Sequence, residues 1–600
     1  MVNDFVLKLQ GPVKLNAFIC WSRENKLLLW KELSSNNVPC DIQNPNKNIS
    51  YYFPPEHQIF FIDMSCNGTK MVLEQGNQMD LFKQPFRWII LSDGDYEDFK
   101  NYYYRLDSQI FVVENLEKEN YVYKIKALYK VSKDSSEFLE NDIARWNSKQ
   151  GFFKYDELSF SRNRTNLKGL NLNISYVVTN SDTYKHLEDY RNTHIDPLSK
   201  LNWLIMKYLL VILNATSTPI FDTTWGYRDS NTSKFTGMIG DLQSDRAEIG
   251  GTALFFTIDR IDVIEYVAPS APTYAKFIFR APPLSYVSNV FTLPFDTDVW
   301  YSCFGLVPLI FIVIYIIVKW EWKDPTFREK VQENNSNSVV PLRPGFFDVL
   351  VMELGAVTQQ GAESEPKSNA GRIATIFAFI ATMFLYTSYS ANIVAILQST
   401  TESIKTLEDL LNSRISLGVE DIVYSHYYFK TADEPIRKAI YQQKIAPKGQ
   451  KPNFMTMQEG ISRVQKGFFA FHVEVSSGYK MIGNTFQESE KCSLKEIVFI
   501  NLIEPWVSIK KGSAYKEIIK VGLRKILENG IQRRDTNRIY TKKPVCQSKG
   551  SNFGSAGILD CYAAFLIFAS GVIFSLILLI FEILAIKKMK SRETNANMSY

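Results

Sequence analysis

The run Phe346-Phe347-Asp348-Val349-Leu350-Val351-Met352-Glu353-Leu354-Gly355-Ala356-Val357-Thr358-Gln359-Gln360-Gly361 is apolar, yet it carries Asp348 and Glu353 and stops after a few turns' worth of residues. A helix that crosses a bilayer takes ~20 apolar residues. This run is too short, so it reads as a re-entrant or interfacial segment. Its end, Thr358 to Gly361, is polar and glycine-bearing. Non-helical backbone at membrane depth is tolerated only where it is buried in protein or lines water. The economical reading is a pore helix followed by a selectivity loop.

The flanks fit that reading. Val299–Val318 and Ile373–Leu397 are uncharged and long enough to span, and so is Cys561–Phe581. Clusters of Lys and Arg follow the first span (Lys319, Lys323, Arg328, Lys330), precede the second (Lys367, Arg372) and follow the third (Lys587, Lys588, Lys590, Arg592). The positive-inside rule places all three clusters in the cytoplasm. The N-terminus is then outside, the short run dips in from the cytoplasmic side, residues 400–555 are outside and the C-terminus is inside. Both external segments read as mixed α/β, with strand-like runs at Ile174–Val178, Leu254–Ile258 and Glu496–Ile500 and a helix-like run at Tyr515–Glu528; the polar tail Lys587–Tyr600 reads as irregular.

Composition excludes several classes. A net charge of +5 over 600 residues, with no basic run interleaved with aromatics, does not describe a nucleic-acid binder. Seven cysteines without C-x-x-C spacing and five histidines give no metal site, and no Ser/His/Asp order or phosphate loop indicates an enzyme. No cofactor is expected. Sequons at Asn48, Asn67, Asn163, Asn173, Asn214 and Asn231 all precede the first span and fit an exported, glycosylated half; those at Asn334 and Asn597 should stay bare on the cytoplasmic side. Residues 1–25 hold no clean signal-peptide h-region, so either the natural start lies upstream of Met1, the favoured expectation, or targeting relies on a later helix.

Span, re-entrant loop, span, external domain, span is an order that resembles an ionotropic glutamate receptor. Leu354–Gly361 is similar to that family's pore-loop signature, and Ser388-Tyr389-Ser390-Ala391-Asn392-Ile393-Val394-Ala395 to its gate motif S-Y-T-A-N-L-A-A. Thr236–Leu242 resembles W-N-G-M-V-G-E-L, and Thr257–Tyr266 resembles T-x-x-R-x-x-V-I-D-F. Gly250–Thr257 and Phe291–Phe295 look like the carboxylic-acid-sensing antennal clade of the arthropod chemosensory branch.

The resemblance implies an α/β bilobed, periplasmic-binding-protein-like ligand-binding domain in two discontinuous segments. These join an α-helical pore domain of three transmembrane helices and a re-entrant pore loop, assembled as a tetramer. The segments are a reduced extracellular N-terminal region at 1–155, ligand-binding segments at 156–298 and 398–558, and spans at 299–318, 373–397 (the gate helix) and 559–586. A cytoplasmic loop at 319–345, the re-entrant loop at 346–362, a linker at 363–372 and a cytoplasmic tail at 587–600 complete the chain.

Arg260 sits where the family's carboxylate-binding arginine lies. A guanidinium offers a planar fork that grips a carboxylate bidentately; the alternative is that Arg260 pairs with Asp259, Asp262 or Glu265. Ala253 replaces a family proline but keeps a backbone carbonyl, and Phe255 replaces a threonine. Val423-Tyr424-Ser425 stands for G-S-T, so Ser425 keeps a hydroxyl while Tyr424 either narrows the cleft or merely packs. Glu474 matches the acid that takes a ligand's amino group, or it is structural, and His472 on the same strand face is read as packed. These features imply a small monocarboxylic acid as ligand.

Gln359 aligns with the filter-tip residue, followed by Gln360 and Gly361, and Glu363 would concentrate cations at the inner mouth or be an exposed loop charge. The resemblance also implies a Cys492–Cys546 disulfide and a co-receptor subunit of the same superfamily. The expected location is the plasma membrane of a sensory neuron dendrite. Two other readings stay open: a synaptic-type glutamate receptor subunit, and a non-channel binding or transport subunit.

Overall fold

A computed structural model describes residues 1–9, 13–50, 58–92, 101–117, 121–135, 137–155, 164–229, 233–282, 291–325, 340–398, 404–500, 504–546 and 558–597. Asn163, Asn231, Asn334, Arg328 and Lys330 therefore lie outside the described residues.

Residues 14–155 build one sheet of strands β1 (Lys14–Phe18), β2 (Cys40–Gln43), β3 (Gln58–Asp63), β4 (Arg87–Ser92), β5 (Gln109–Glu117), β6 (Val122–Tyr129), β7 (Leu139–Asn147) and β8 (Gly151–Tyr155), in the order β2-β1-β3-β4-β5-β6-β7-β8. The first five are parallel and the last three antiparallel. A parallel strand covered on both faces reads as a continuous apolar run. β3 does so: Ile59 and Phe61 enter one core with the helices Val2–Lys8 and Arg23–Ser35, while Phe60 and Ile62 enter the other. Gly76, on the helix Thr69–Gln78, lets the Trp88 ring approach to where a Cβ would stand 2.9 Å away. Cys20 and Cys66, just past the ends of β1 and β3, are joined by a disulfide that nothing in the sequence reading anticipated.

Two further five-stranded sheets follow. One is ordered β10-β9-β11-β18-β12, from β9 (Asn171–Val177), β10 (Thr216–Asp222), β11 (Ile249–Leu254), β12 (Ile264–Pro269) and β18 (Trp506–Lys510). The other is β15-β14-β16-β13-β17, from β13 (Ala275–Arg280), β14 (Ser416–Glu420), β15 (Phe454–Met455), β16 (Phe469–Glu474) and β17 (Leu494–Val498). Each sheet takes a strand from the other's stretch of sequence: β18 comes home to the first and β13 leaves for the second. The segments that lead into these two strands meet where the Ser270 amide donates to the Pro505 carbonyl at 2.7 Å.

The N-terminal sheet is welded to the second one. Leu106, Tyr129 and Val131 share a core with Leu201, Ile205 and Ile518. Arg164, 1% exposed, donates to the carbonyls of Leu106 and Ser108 at 2.6 and 2.7 Å and lies over the Tyr129 ring.

Among the described residues three helices are long and apolar enough to cross a membrane: Thr297–Glu321, Asn369–Ile396 and Ala564–Lys588. The short run is the helix Phe346–Val357, packed on the first two through Val349, Met352 and Ala356 with Ile314, Val318 and Ala378. Glu321 closes the assembly by accepting from the Lys367 and Ser368 amides at 2.8 Å.

Two expectations need correction. The strand read at 254–258 ends at Leu254, because the chain turns into the 3-10 segment Ile258–Arg260. The tail read as irregular continues the last helix to Asn597, as a run rich in Lys, Met, Arg and Glu favours.

The second bridge, Cys492–Cys546, ties the segment after the helix Ile531–Ile539 back to the start of β17. Sequence separations of 46 and 54 make each closed loop substantial. In the chain-entropy view each bridge contributes about 4 kcal/mol. Mass mapping should find both pairs bridged, and Cys20→Ser with Cys66→Ser should lower the first thermal transition of the full-length protein.

Candidate functional site

A cavity of about 540 Å³ lies between the second and third sheets, and Ala253, Phe255, Arg260, Tyr424, Ser425 and Glu474 all line it. Ala253 lies on β11 with Phe255 and Arg260 just after it, and the last three come from the third sheet and its helices, so both sheets supply the wall.

Arg260 is 5% exposed. Its Nη2 donates to the Gly226 carbonyl at 3.1 Å and its Nη1 to the Phe255 carbonyl at 3.4 Å, with the Tyr227 ring 5.6 Å away. No carboxylate pairs with it among the described residues. The acids flanking it in sequence are engaged elsewhere: Glu265 with Lys516 at 2.5 Å and the Gly512 amide, Asp259 with the Tyr427 hydroxyl at 3.5 Å. A guanidinium taken out of water without a counter-charge is costly, by several kcal/mol. The site is therefore short of one anion.

The other expected residues divide. Ser425, 3% exposed in the first turn of the helix Val423–Lys430, has a hydroxyl with no hydrogen bond among the described residues. Tyr424 does more than fill space: its ring lies 5.6 Å from Phe255, 6.1 Å from Trp225 and 4.5 Å from Tyr428, making an aromatic wall across the two sheets' elements. The Ala253 carbonyl accepts from the Trp225 indole at 3.1 Å, which takes one of its two lone pairs. Glu474 is engaged within the protein too. Its carboxylate caps the helix Val475–Thr485, accepting from the Ser476 and Ser477 amides at 3.1 and 2.9 Å, the Ser477 hydroxyl at 2.9 Å and Thr273 at 3.3 Å. Four donors leave it little capacity for a ligand amine. His472 is packed between Phe277, Phe429 and Phe499, and burial pushes its imidazole down to about 3, so it stays neutral.

Three cavity residues escaped the sequence reading. Trp225 follows β10 directly. Asp196 sits at the N-cap position of the helix Pro197–Leu213, but its side chain turns to the 179–183 segment instead of the helix, accepting from the Thr179 and Asn180 amides at 3.1 Å, Thr183 at 2.8 Å and the Thr179 hydroxyl. The Asp-Pro pair at 196–197 is a helix-start signal that could have located it. Glu420 ends β14; burial, then the charges of Glu474 and Asp196, push its carboxyl up to about 8. Its position next to Asp421, after an apolar strand, gave no hint of which acid turns inward.

In the helical unit, the chain reverses after Val357 through positive φ at Gln359 (62°) and Gly361 (81°). The Gln360 amide donates to the Gly355 carbonyl at 2.8 Å, and a Cβ on Gly355 would stand 2.3 Å from the Gly361 carbonyl. Gln359, Gln360 and Glu363 are exposed. Ser388, Tyr389, Ser390, Ala391 and Asn392 lie on the helix Asn369–Gln398. Tyr389 donates to the Phe291 carbonyl at 3.0 Å and Asn392 to the Pro294 carbonyl at 3.2 Å, so this stretch holds the segment before the first long helix. Asn48, Asn67, Asn173 and Asn214 are exposed; Asn173 and Asn214 donate from their amides to the Arg246 carbonyl and to Asn166.

Comparison with known proteins agrees with this geometry. The Ligand-gated ion channel family matches residues 296–572. Ionotropic receptor 75a of Drosophila melanogaster is 22% identical over 501 residues, 79% of this chain and 78% of that protein. Its counterpart from Drosophila sechellia is 22% identical over 516 residues, covering 82% and 80%. Glutamate receptor 3 of Mus musculus is 26% identical over 430 residues, 68% of this chain but 46% of that longer receptor. These relatives are receptors, not enzymes.

The aromatic wall generates a size prediction. Tyr424→Ala should open the cavity and shift preference toward bulkier ligands, read as a reordering of half-maximal concentrations across a homologous ligand series.

Proposed function

Because the chain belongs to the ionotropic glutamate receptor superfamily, with the arthropod ionotropic receptors among its relatives, we propose that it is a ligand-gated cation channel subunit that detects small carboxylic acids. The observation that carries this reading is Arg260: a buried guanidinium at the cavity wall, fixed by two carbonyls and lacking an acid partner among the described residues. A ligand carboxylate supplies the missing charge, and the guanidinium fork gives it direction. Ser425 offers a hydroxyl donor, and Phe255 and Tyr424 face the apolar tail.

In this reading the two five-stranded sheets are lobes of a clamshell. Helix Phe346–Val357 enters from the cytoplasmic side, and Gln359, Gln360 and Gly361 form the filter tip with Glu363 at the inner mouth. The acid prefers the closed clamshell and shifts the population toward it. Motion of the second lobe reaches Ser388–Asn392 along the helix that bears them. The channel is a tetramer with a co-receptor subunit of the same superfamily, in the plasma membrane of a sensory dendrite. Its N-terminus, with the sequons, is outside and its C-terminus is inside.

A glutamate ligand fits less well. The Ala253 carbonyl and Glu474, which a glutamate-type site would use, are already engaged within the protein. A glutamate concentration–response series alongside the acids decides between the two.

Arg260→Ala should abolish acid-evoked current while surface labelling stays normal, and Arg260→Lys should restore little of it, because a point charge lacks the fork. Persisting acid sensitivity in the alanine variant would overturn the assignment. Gln359→Arg in the mixed channel should lower calcium permeability relative to monovalent cations, since a ring bearing fixed positive charge repels divalent ions; an unchanged ratio would mean that this chain does not line the filter.

A further inference from the structure

Three carboxyl groups line the cavity that also holds Arg260: Asp196, Glu420 and Glu474. Two accept four donors each, Asp196 at one helix start and Glu474 at another. Glu420 differs. It accepts from the Glu474 backbone N–H, and no side-chain donor reaches it among the described residues. It is partly buried and lines the cavity with the other two. No positive side chain pairs with it among the described residues. His194, two residues before Asp196, is held toward its neutral form by burial and by Lys200 and Lys480.

An anionic ligand entering this cavity finds one guanidinium and up to three carboxylates. At the low effective dielectric of a closed cleft, like charges a few ångströms apart repel by several kcal/mol. The arrangement favours the anion only if one acid is neutral, and Glu420 is the group free to change. We propose that the cavity binds a carboxylate and a proton together, the anion at Arg260 and the proton on Glu420. This rests on the reading of Arg260 as the carboxylate anchor. It makes the protein a reader of an acid as two separated parts, and it makes Glu420 a binding residue for the second part.

The direction follows from the chemistry. The Glu420 carboxyl, already pushed up to about 8 by burial and its two acidic neighbours, rises further when an anion sits nearby. Affinity is therefore full below pH 7 and falls as pH climbs through the free-state value, by at most about ten-fold per pH unit.

The test uses the full-length chain with its co-receptor and sodium propionate as probe, reading the half-maximal concentration at pH 7 and pH 9. Propionate is fully ionised at both, so any change belongs to the protein. In the wild type the half-maximal concentration should rise on the order of ten-fold. Glu420→Gln, an uncharged isostere that cannot titrate, should abolish the rise in half-maximal concentration between pH 7 and pH 9. A flat wild-type profile overturns the proposal, as does a glutamine variant that keeps the full shift. If that variant does not reach the surface, Glu420→Met replaces it under the same criterion. Failure of the Arg260 reading looks different: Arg260→Ala would still answer propionate, whatever the pH profile.

Discussion

One buried charge without a partner organises this molecule. Arg260 is held in place by carbonyls, which orient a guanidinium but do not neutralise it. Its flanking acids, Asp259 and Glu265, are directed to Tyr427 and to Lys516 with the Gly512 amide. Everything around the cavity is consistent with reserving that charge for something that arrives from outside. The turn that ends β11 at Leu254, rather than extending it, brings Arg260 inward through the 3-10 segment Ile258–Arg260.

The remaining polar groups of the cavity are mostly committed to building it. Glu474 caps one helix, and Asp196, at the start of another, ties that helix to the 179–183 segment. Trp225 occupies the Ala253 carbonyl, and Tyr424 spans from the second sheet's loops to the third sheet's first helix. The groups that stay open include the Arg260 guanidinium, the Ser425 hydroxyl and the Glu420 carboxyl, beside the Tyr424 hydroxyl and ring nitrogens of His194 and His472. A pocket of mainly apolar wall with few convergent polar groups is the usual form of a small-molecule site. The same economy holds at the other end, where Tyr389 and Asn392 grip carbonyls of the segment leading from β13 into the first long helix. That segment and the helix Asn369–Gln398 are the two places where the β-rich part is continuous with the helical part near these contacts.

The membrane-length helices were the most legible part of the sequence, because hydrophobic length alone identifies them. The six cavity residues were reached through a family resemblance, and the structure brings all six to one wall. Their roles were less legible. Nothing in the spacing shows that a carbonyl such as Ala253's is capped by an indole from Trp225, or that Glu474 faces four donors. Burial and hydrogen-bond occupancy are properties of the assembled fold. The eight-stranded sheet of the N-terminal region was not read beyond mixed α/β, since β3 and β4 are short runs buried on both faces and carry no helical or alternating period. The Cys20–Cys66 bridge was missed for a related reason: the two residues meet only because β1 and β3 are neighbours in the sheet.

The central claim is that an uncompensated guanidinium recognises a carboxylate, and an isosteric pair of ligands tests it most directly. Half-maximal concentrations of propionate and propionamide, measured on the wild-type subunit with its co-receptor, differ in the ligand by the charged fork that Arg260 would grip. The account predicts activation by propionate and at least a hundred-fold weaker activation by the amide, roughly the 3 kcal/mol of a charge-assisted bidentate contact. Equal potency of the two ligands would contradict it.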